Sequence, residues 1–373
     1  MNTVDRLQRV VWHLSNMAMR LPAFIFTQMQ LKAVPQWICI AEQEGWSIAE
    51  DAKFVSQQLR DHGIGSHIVS RPDFMAGNIL HYCSLHTYSL RRRAIAANRN
   101  KHVLTCFHGD FGIDPEMNRQ LQQVINDKNS LDAIIVSCSL MHRRFLSWGM
   151  PAEKLQLIPL PVDTSLFRSD QNERDSVRHE LGIPEDAIVV GSFQKDGVGH
   201  ADGMEPKMIK GPDIFCEVVE RLNRRYPIVV LLTGPARGYV KSRLERAGVR
   251  YVHRYAKSVE GVARYYSALD LYLMTSREEG GPKSVLESLA SGVPFIGTDV
   301  GMVSDVLSNG RNGWKCPSED VDALFEACEI AILNEQIRDK IRNRGLEDVR
   351  AFSRKAIGEH YANLYRQIVS SAA

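Results

Sequence analysis

Short apolar runs alternate with amphipathic stretches along most of this chain. The amphipathic stretches with the clearest helical spacing are Ile48–His62, Asn118–Asn126 and Val259–Ala268. The apolar runs predict strands at Trp37–Ile40, Ser66–Val69, Asn78–Tyr82, His102–Phe107, Ala133–Ser137, Leu155–Ile158, Ile188–Ser192, Ile228–Thr233, Tyr251–His253, Leu269–Met274 and Pro294–Gly297. This alternation predicts doubly wound parallel sheets covered by helices, an α/β fold.

The length of the chain and one polar stretch predict two domains. A chain of 373 residues exceeds the usual size of a single domain, and 44% hydrophobic residues suffice for two cores. The charged stretch Arg168–Arg178 has the composition of a linker. We therefore expect one domain over residues 37–168 and a second over 169–350.

Both ends of the chain have helical patterns. Residues 1–36 carry apolar positions at helical spacing with Arg6, Arg9 and Arg20 among them, which predicts an amphipathic extension. Packing on its own domain is the favoured interpretation, and contact with an anionic membrane surface is the alternative. Residues 351–373 predict a second amphipathic helix from about Ser353, whose apolar stripe fits against a neighbouring domain.

Charge and cysteine content narrow the class of protein. The formal net charge is +2 and the pI is near 8.1, so no basic domain indicates a nucleic-acid partner. The seven cysteines are odd in number and form no C-x-x-C pair, a pattern typical of reduced thiols. We see no bilayer-spanning run and no evident signal peptide, and we expect a cytoplasmic protein.

The stretch Thr275–Val300 carries the clearest chemistry. An apolar strand leads into a loop with Gly280 and Gly281, and a helix is predicted to begin at Pro282. The amides at this helix N-terminus attract anions, and the two glycines would let a ligand approach the backbone. Glu279 and Glu287 flank this anion site, where carboxylates would accept hydrogen bonds from hydroxyl groups. A phosphate site bracketed by hydroxyl acceptors describes a sugar nucleotide.

These residues resemble a known family. Glu279 and Glu287, with seven residues between them, are similar to the Glu-x7-Glu motif of the family 4 retaining glycosyltransferases of GT-B fold, and EEGGPKSVLESLASGVPFIGTDVG is similar to that family's form of this segment. The alternative is an ordinary βαβ turn with solvated acids. The resemblance implies two Rossmann-like domains facing across a cleft. It also implies transfer of a sugar, with retention, from a nucleoside diphosphate donor to an acceptor hydroxyl, as in polysaccharide or glycolipid synthesis.

The resemblance also implies roles for individual residues. Glu279 would contact hydroxyls of the donor sugar, and Glu287 would contact the ribose. His108, followed by glycine at the end of a strand, would lie near the transferred sugar, and a local turn-forming histidine is the alternative. We expect Glu279, His108 and Lys210 to be catalytic. The residues expected to bind the donor are Gly191, Lys195, Lys210, Gly280, Gly281, Pro282, Lys283, Ser284, Val285 and Glu287.

Two lysines are the candidates for holding the donor diphosphate. Lys210-Gly211 resembles a Lys-Gly pair of the family, and Ser192 stands where an arginine is common, which makes Lys195 the candidate substitute. Fixed positive charge would stabilise the diphosphate leaving group as its bond to the sugar breaks. Solvated loop lysines are the alternative. Glu44-Gly45-Trp46 departs from a Gly-Gly loop found in many relatives.

Two other patterns resemble ligand motifs but lack their context. Asp320-Val321-Asp322 superficially resembles an Asp-x-Asp metal motif, but its place before an amphipathic helix indicates first-turn acids. Gly197-Val198-Gly199 lacks the third glycine and the directly following helix of a dinucleotide fingerprint. We therefore expect no metal site and no cofactor apart from the donor substrate.

Two further hypotheses come from other functional classes. One is a non-catalytic partner subunit that keeps the fold, which Ser192 and the altered loop at residues 44–46 favour. The other is an enzyme of the same fold with different chemistry, a sugar-nucleotide epimerase or a phosphorylase. The sequence specifies neither the base and sugar of the donor nor the acceptor.

Overall fold

Two parallel sheets form the framework of the protein. The computed structural model describes residues 38–41, 47–69, 77–91, 100–199, 202–256 and 258–370. The strands of the first sheet, in spatial order β2-β1-β3-β4-β5-β6, are β1 (Ile38–Ala41), β2 (Ser66–Val69), β3 (Ile79–Tyr82), β4 (Lys101–Cys106), β5 (Ala133–Val136) and β6 (Leu155–Leu157). Those of the second, in order β12-β11-β10-β7-β8-β9, are β7 (Ile188–Phe193), β8 (Ile228–Thr233), β9 (Arg250–Arg254), β10 (Leu271–Met274), β11 (Phe295–Thr298) and β12 (Trp314–Cys316).

Helices connect these strands and cover both sheets. They are α1 (Ser47–Asp61), α2 (Leu85–Arg91), α3 (Pro115–Asn126), α4 (Ser139–Ser147), α5 (Gln171–Glu180), α6 (Pro212–Asn223), α7 (Gly238–Arg246), α8 (Val259–Tyr266), α9 (Lys283–Ala290), α10 (Val303–Val306), α11 (Val321–Leu333), α12 (Glu335–Asp348) and α13 (Arg354–Ser370). Central strands such as β3, β5, β8 and β10 are buried at every position. Helices on both faces explain why these strands read as continuous apolar runs.

The predicted α/β doubly wound fold is confirmed, and each predicted strand is observed within two residues of its predicted limits. The strand β12 was not predicted, because Trp314-Lys315-Cys316 is only three residues long and has a polar centre. Hydrogen bonding to β11 keeps these three residues extended, although their own pattern does not indicate a strand.

The helix α5 occupies most of the stretch Arg168–Arg178, which was predicted as a linker. Asp170 caps this helix by accepting a hydrogen bond from the amide of Glu173 at 3.1 Å. Arg174 and Arg178 both bind the carboxylate of Asp270, just before β10. Only Val177 of the helix is buried, so ion pairs with a distant carboxylate hold a segment whose composition indicates a linker.

The last helix, α13, lies across the first sheet. Its apolar side chains pack in one cluster with residues of β1 and α1, among them Ile38 and Val55. Gly358 permits this contact, because a side chain there would overlap Gln58 of α1. Residues 1–36 and 42–46 lie outside the described part of the chain, so the predicted N-terminal extension and the Glu44–Trp46 loop stay predictions.

Two sequence expectations concern membranes and thiols. None of the described helices is both long and apolar enough to cross a lipid bilayer. Five cysteines are free and buried, Cys106, Cys138, Cys216, Cys316 and Cys328, and Cys83 is buried as well. The five free thiols agree with the prediction of reduced cysteines.

One buried histidine joins α13 to the first sheet and predicts acid sensitivity. His81 is fully buried, its Nε2 lies 2.7 Å from Thr105 Oγ1, and burial lowers its pKa to about 3. The depressed pKa means that His81 contributes stability above pH 6.5 that is lost as the pH falls toward 3. We expect this group alone to reduce the free energy of unfolding by about 2 kcal/mol between pH 7.5 and pH 5.

Urea unfolding of wild type and His81→Gln at both pH values checks this. The stability advantage of wild type over the variant should shrink by about 2 kcal/mol at pH 5. An advantage that does not change with pH would contradict the assignment.

Candidate active site

The loop between β10 and α9 meets the end of β4 across the two sheets. The backbone of Gly280 lies against Phe107 and His108, so closely that a side chain at 280 would overlap the carbonyl oxygen of Phe107. A side chain at Gly281 would likewise meet Leu160 and Ser137. Residues of the first domain therefore occupy the space that a side chain at either glycine would fill. The two glycines thus serve a contact between the domains, and their predicted contact with the donor stays a prediction.

Three polar contacts cross the same boundary. Arg144 of α4 binds the carboxylate of Glu278. The amide of Ser139 donates to Asp305 at 2.6 Å. The ammonium group of Lys283 lies 2.5 Å from Asp51 of α1. These contacts join the two domains at three points.

The helix α9 presents an open N-terminus to this cleft. It begins at Lys283, one residue later than predicted, because Pro282 has an extended conformation at the cap position. No side chain caps the helix, and among the described residues the amides of Lys283 and Ser284 have no hydrogen-bond acceptor. The amide of Val285 donates to Pro282 at 3.3 Å. Two amides and the helix dipole therefore remain to bind an anion.

Glu279 is paired with a cation in the cleft. Its carboxylate accepts from Lys210 in an ion pair and from Ser276 Oγ at 2.9 Å. Lys210 ends a turn that is followed by Gly211 at φ +60°, where a side chain would overlap the carbonyl of Thr275. Glycine at 211 thus brings Lys210 to Glu279. The structure therefore brings together two of the three residues predicted to be catalytic.

His108, the third, lies at the carboxyl end of β4 beside this pair. Its side chain is accessible to water, yet the protein enclosing the cleft lowers its pKa, and the charges of Glu279 and Lys210 act on it in opposite directions. A neutral imidazole at neutral pH can both donate and accept a hydrogen bond.

A further cation, Lys207, was not singled out from the sequence. Enclosure by the protein lowers the pKa of Lys207 first, and the nearby charges of Lys210 and Lys195 lower it further. Lys195, Lys207 and Lys210 are thus neighbouring cations, which we call the lysine cluster, and Glu279 lies beside Lys207 and Lys210. The signal for Lys207 was its place three residues before Lys210 in the same loop.

A buried arginine anchors the loop that carries the lysine cluster. Arg237 is 1% exposed, and its Nη1 donates to the carbonyls of Ser192 and Gln194 at 2.7 and 2.9 Å. Its Nε lies 3.0 Å from the carboxylate of Asp196, which is equally buried. The carbonyl of Asp196 accepts from the amide of Lys207 at 2.7 Å. Arg237 therefore fixes the backbone on both sides of Lys195, and it fills the space beside Ser192.

Glu287 lies one and a half turns into α9 and faces an aromatic group. Tyr266 Oη donates to its Oε2 at 2.9 Å. Burial raises the pKa of Glu287, and the Tyr266 hydroxyl and Lys283 oppose that shift. Tyr266 stacks on Tyr272, and Tyr272 stacks on Phe295, so the carboxylate is held by a rigid support.

Gly191 packs inside the second sheet, and the acids of the Asp-x-Asp pattern lie at the start of a helix. Gly191 is buried within β7, and a side chain there would overlap Leu269. Asp320 caps α11 by accepting from the amide of Ala323 at 2.9 Å, and Asp322 pairs with Arg221. The reading of these acids as first-turn residues is confirmed. Among the described residues, no group of three or more His, Cys, Asp or Glu side chains has the arrangement of a metal site.

Comparisons with known proteins give a consistent result. Residues 197–334 match the family model of the glycosyl transferases group 1. D-inositol 3-phosphate glycosyltransferase of Nocardioides is 25% identical over 57% of this chain and 48% of its own length. The lipopolysaccharide core biosynthesis mannosyltransferase LpsB of Rhizobium meliloti is 27% identical over 44% of this chain and 47% of its own length.

A solved structure extends the similarity to both domains. HepE of Anabaena in complex with UDP-glucose superposes with a TM-score of 0.74, covering 89% of this chain and 99% of that chain at 16% identity. This is a likeness of fold, and the fold is GT-B. The chain spans about half the length of the curated relatives it matches.

The buried pair Arg237–Asp196 gives a test of how the loop is anchored. Removing Arg237 leaves a buried unpaired carboxylate, so Arg237→Met should reduce the free energy of unfolding by about 3–5 kcal/mol. The loss should be smaller at pH 5 than at pH 8, because burial already raises the pKa of Asp196 and protonation removes the unpaired charge. Adding Asp196→Asn should restore part of the stability.

Chemical denaturation of the single and double variants measures these effects. Arg246→Met, which removes an exposed arginine at the end of α7, is the matched control and should change stability little. Equal losses in the single and double variants would show that the buried charge is not the cause.

Proposed function

We propose that this chain, which matches the group 1 glycosyltransferase model over residues 197–334 and has the GT-B fold, moves a sugar from a nucleoside diphosphate donor to an acceptor hydroxyl. The observation that carries the proposal is the convergence of the lysine cluster and the open N-terminus of α9 beside Glu279 and His108. A cleft with this much fixed positive charge suits a diphosphate.

In this proposal the second domain binds the nucleotide. Lys195, Lys207 and Lys210, with the amides of Lys283 and Ser284, hold the diphosphate and stabilise the charge that it gains as its bond to the sugar breaks. Because these groups supply positive charge, the proposal includes neither a metal ion nor another cofactor. Glu287 binds the ribose, since Tyr266 engages Oε2 and leaves Oε1 to accept from a hydroxyl group.

The transferred sugar would lie between the two domains. Glu279 is held by Lys210 and Ser276, in a position to accept from a sugar hydroxyl, and His108 approaches from the first domain. We propose retention by a same-face mechanism, in which the leaving phosphate assists deprotonation of the acceptor. The pairing of Glu279 with Lys210 supports its role as a hydroxyl acceptor over one as a nucleophile, and we assign no general base.

The proposed acceptor is a sugar or glycoconjugate. The names of the matched relatives refer to inositol phosphate and lipopolysaccharide core as the context of glycosyl transfer, and HepE was crystallised with UDP and glucose. We also propose a cytoplasmic location, where nucleotide sugars serve as donors, with membrane contact through residues 1–36 as a further hypothesis.

Thermal stabilisation by a nucleotide panel tests this function. UDP, GDP, ADP and TDP, each with its sugar conjugates, are added to wild type, Glu287→Ala and the control Glu217→Ala. Glu217 is an exposed carboxylate on α6. A ligand at a hundred times its Kd should stabilise the folded state by about 2.7 kcal/mol.

We expect one nucleotide series to raise the Tm of wild type and of Glu217→Ala, and Glu287→Ala to lose most of that shift. If no nucleotide at millimolar concentration shifts wild type, the transferase proposal fails and the hypothesis of a non-catalytic partner subunit takes its place. An equal shift in Glu287→Ala would exclude Glu287 from the nucleotide site.

A further inference from the structure

We propose that Arg144 is a positioning residue that holds two loops against each other. One is the loop after β4 in the first domain, which carries His108, and the other is the loop between β10 and α9 in the second domain, which carries Glu279. The inference rests on the proposed function and adds a residue to it. Arg144 lies on α4, far in the sequence from either loop, and the Glu-x7-Glu segment does not include it.

The guanidinium group of Arg144 contacts both loops at once. Nη1 donates to the carbonyl of Gly109 at 3.1 Å and to Glu278 Oε1 at 2.5 Å. Nη2 donates to Glu278 Oε2 at 3.1 Å and lies 3.0 Å from Asp110 Oδ2. The contact with Glu278 is bidentate, a geometry that fixes orientation as well as distance.

Arg144 binds each loop at the residue next to His108 or Glu279. Gly109 follows His108 directly, and Glu278 precedes Glu279 directly. A shift of either loop relative to the guanidinium would therefore change the separation of His108 and Glu279. No other described arginine or lysine is hydrogen-bonded to both of these loops.

The surroundings make this ion pair stronger than one on an open surface. The Arg144 side chain is 15% exposed and that of Glu278 is 21% exposed. Charges so enclosed are weakly screened by salt and attract one another more than exposed pairs do. Arginine is also better suited than lysine here, because its planar fork satisfies a carboxylate and a carbonyl together.

Loss of Arg144 should affect binding of the donor sugar and binding of the nucleotide differently. The groups proposed to bind the diphosphate and ribose all belong to the second domain, whereas the sugar would lie between Glu279 and His108. Loss of Arg144 should therefore weaken contacts with the sugar of the donor and leave contacts with the nucleotide largely intact. A general loss of folding would instead weaken both.

The test compares binding of UDP and UDP-glucose by titration calorimetry, or of GDP and GDP-mannose if wild type binds the guanosine pair. In Arg144→Gln the ratio of the UDP-glucose Kd to the UDP Kd should rise by about tenfold, while the UDP Kd changes by less than about twofold. Arg143→Gln, which removes the exposed neighbouring arginine, is the matched control and should keep the wild-type ratio.

Glu278→Gln provides a second route to the same answer. Alone it should raise the ratio, and combined with Arg144→Gln it should add little, because both variants break one interaction. Arg144→Lys, which keeps the charge and loses the bidentate fork, should give an intermediate ratio. These variants also serve if Arg144→Gln fails to fold.

The outcomes distinguish the inference from the function on which it rests. An unchanged ratio in Arg144→Gln, equal weakening of both ligands, or fully additive effects with Glu278→Gln would overturn the role of Arg144 alone. Wild type that binds neither nucleotide nor nucleotide sugar would overturn the proposed function and this assignment together.

Discussion

The close approach of Gly280 to Phe107 is the contact on which the geometry of the cleft depends. Ser137 Oγ donates to the same carbonyl oxygen of Phe107 at 3.0 Å, so the first domain holds one side of the contact rigidly. On the other side, the carbonyl of Gly280 accepts from the amide of Met302 at 2.8 Å. Two backbones fixed in this way leave no room for a side chain, and they place His108 beside Glu279.

Two of the cations in the cleft are paired with carboxylates. Lys210 is paired with Glu279, and Lys283 is paired with Asp51 of the first domain. Enclosure by the protein, followed by the charges of Lys210 and Lys195, lowers the pKa of Lys207. In the proposed function, a diphosphate would share these cations, while the buried pair Arg237–Asp196 keeps the supporting loop in place without facing the ligand.

The sequence predicted what is encoded locally. The strands could be predicted because they are apolar runs. The segment from Glu279 to Glu287 could be predicted because its loop, glycines and helix follow one another in the chain. The contacts that Gly280, Arg144 and Asp51 make between the domains could not be predicted, because each depends on a partner distant in the sequence. Arg237 lies in a turn whose pattern does not indicate a buried ion pair. The polar composition of α5 predicted a linker, because Asp270, the carboxylate that holds this helix, is distant in the sequence.

Hydrogen exchange of backbone amides, with and without saturating UDP-glucose, tests the joint donor site most directly. We expect slower exchange in three separate segments at once: residues 107–110, residues 207–211 and the start of α9 at residues 283–285. We expect no change in α11, which packs against β11 and β12. Protection confined to one domain, or found only away from these segments, would contradict the claim that both domains form one donor site.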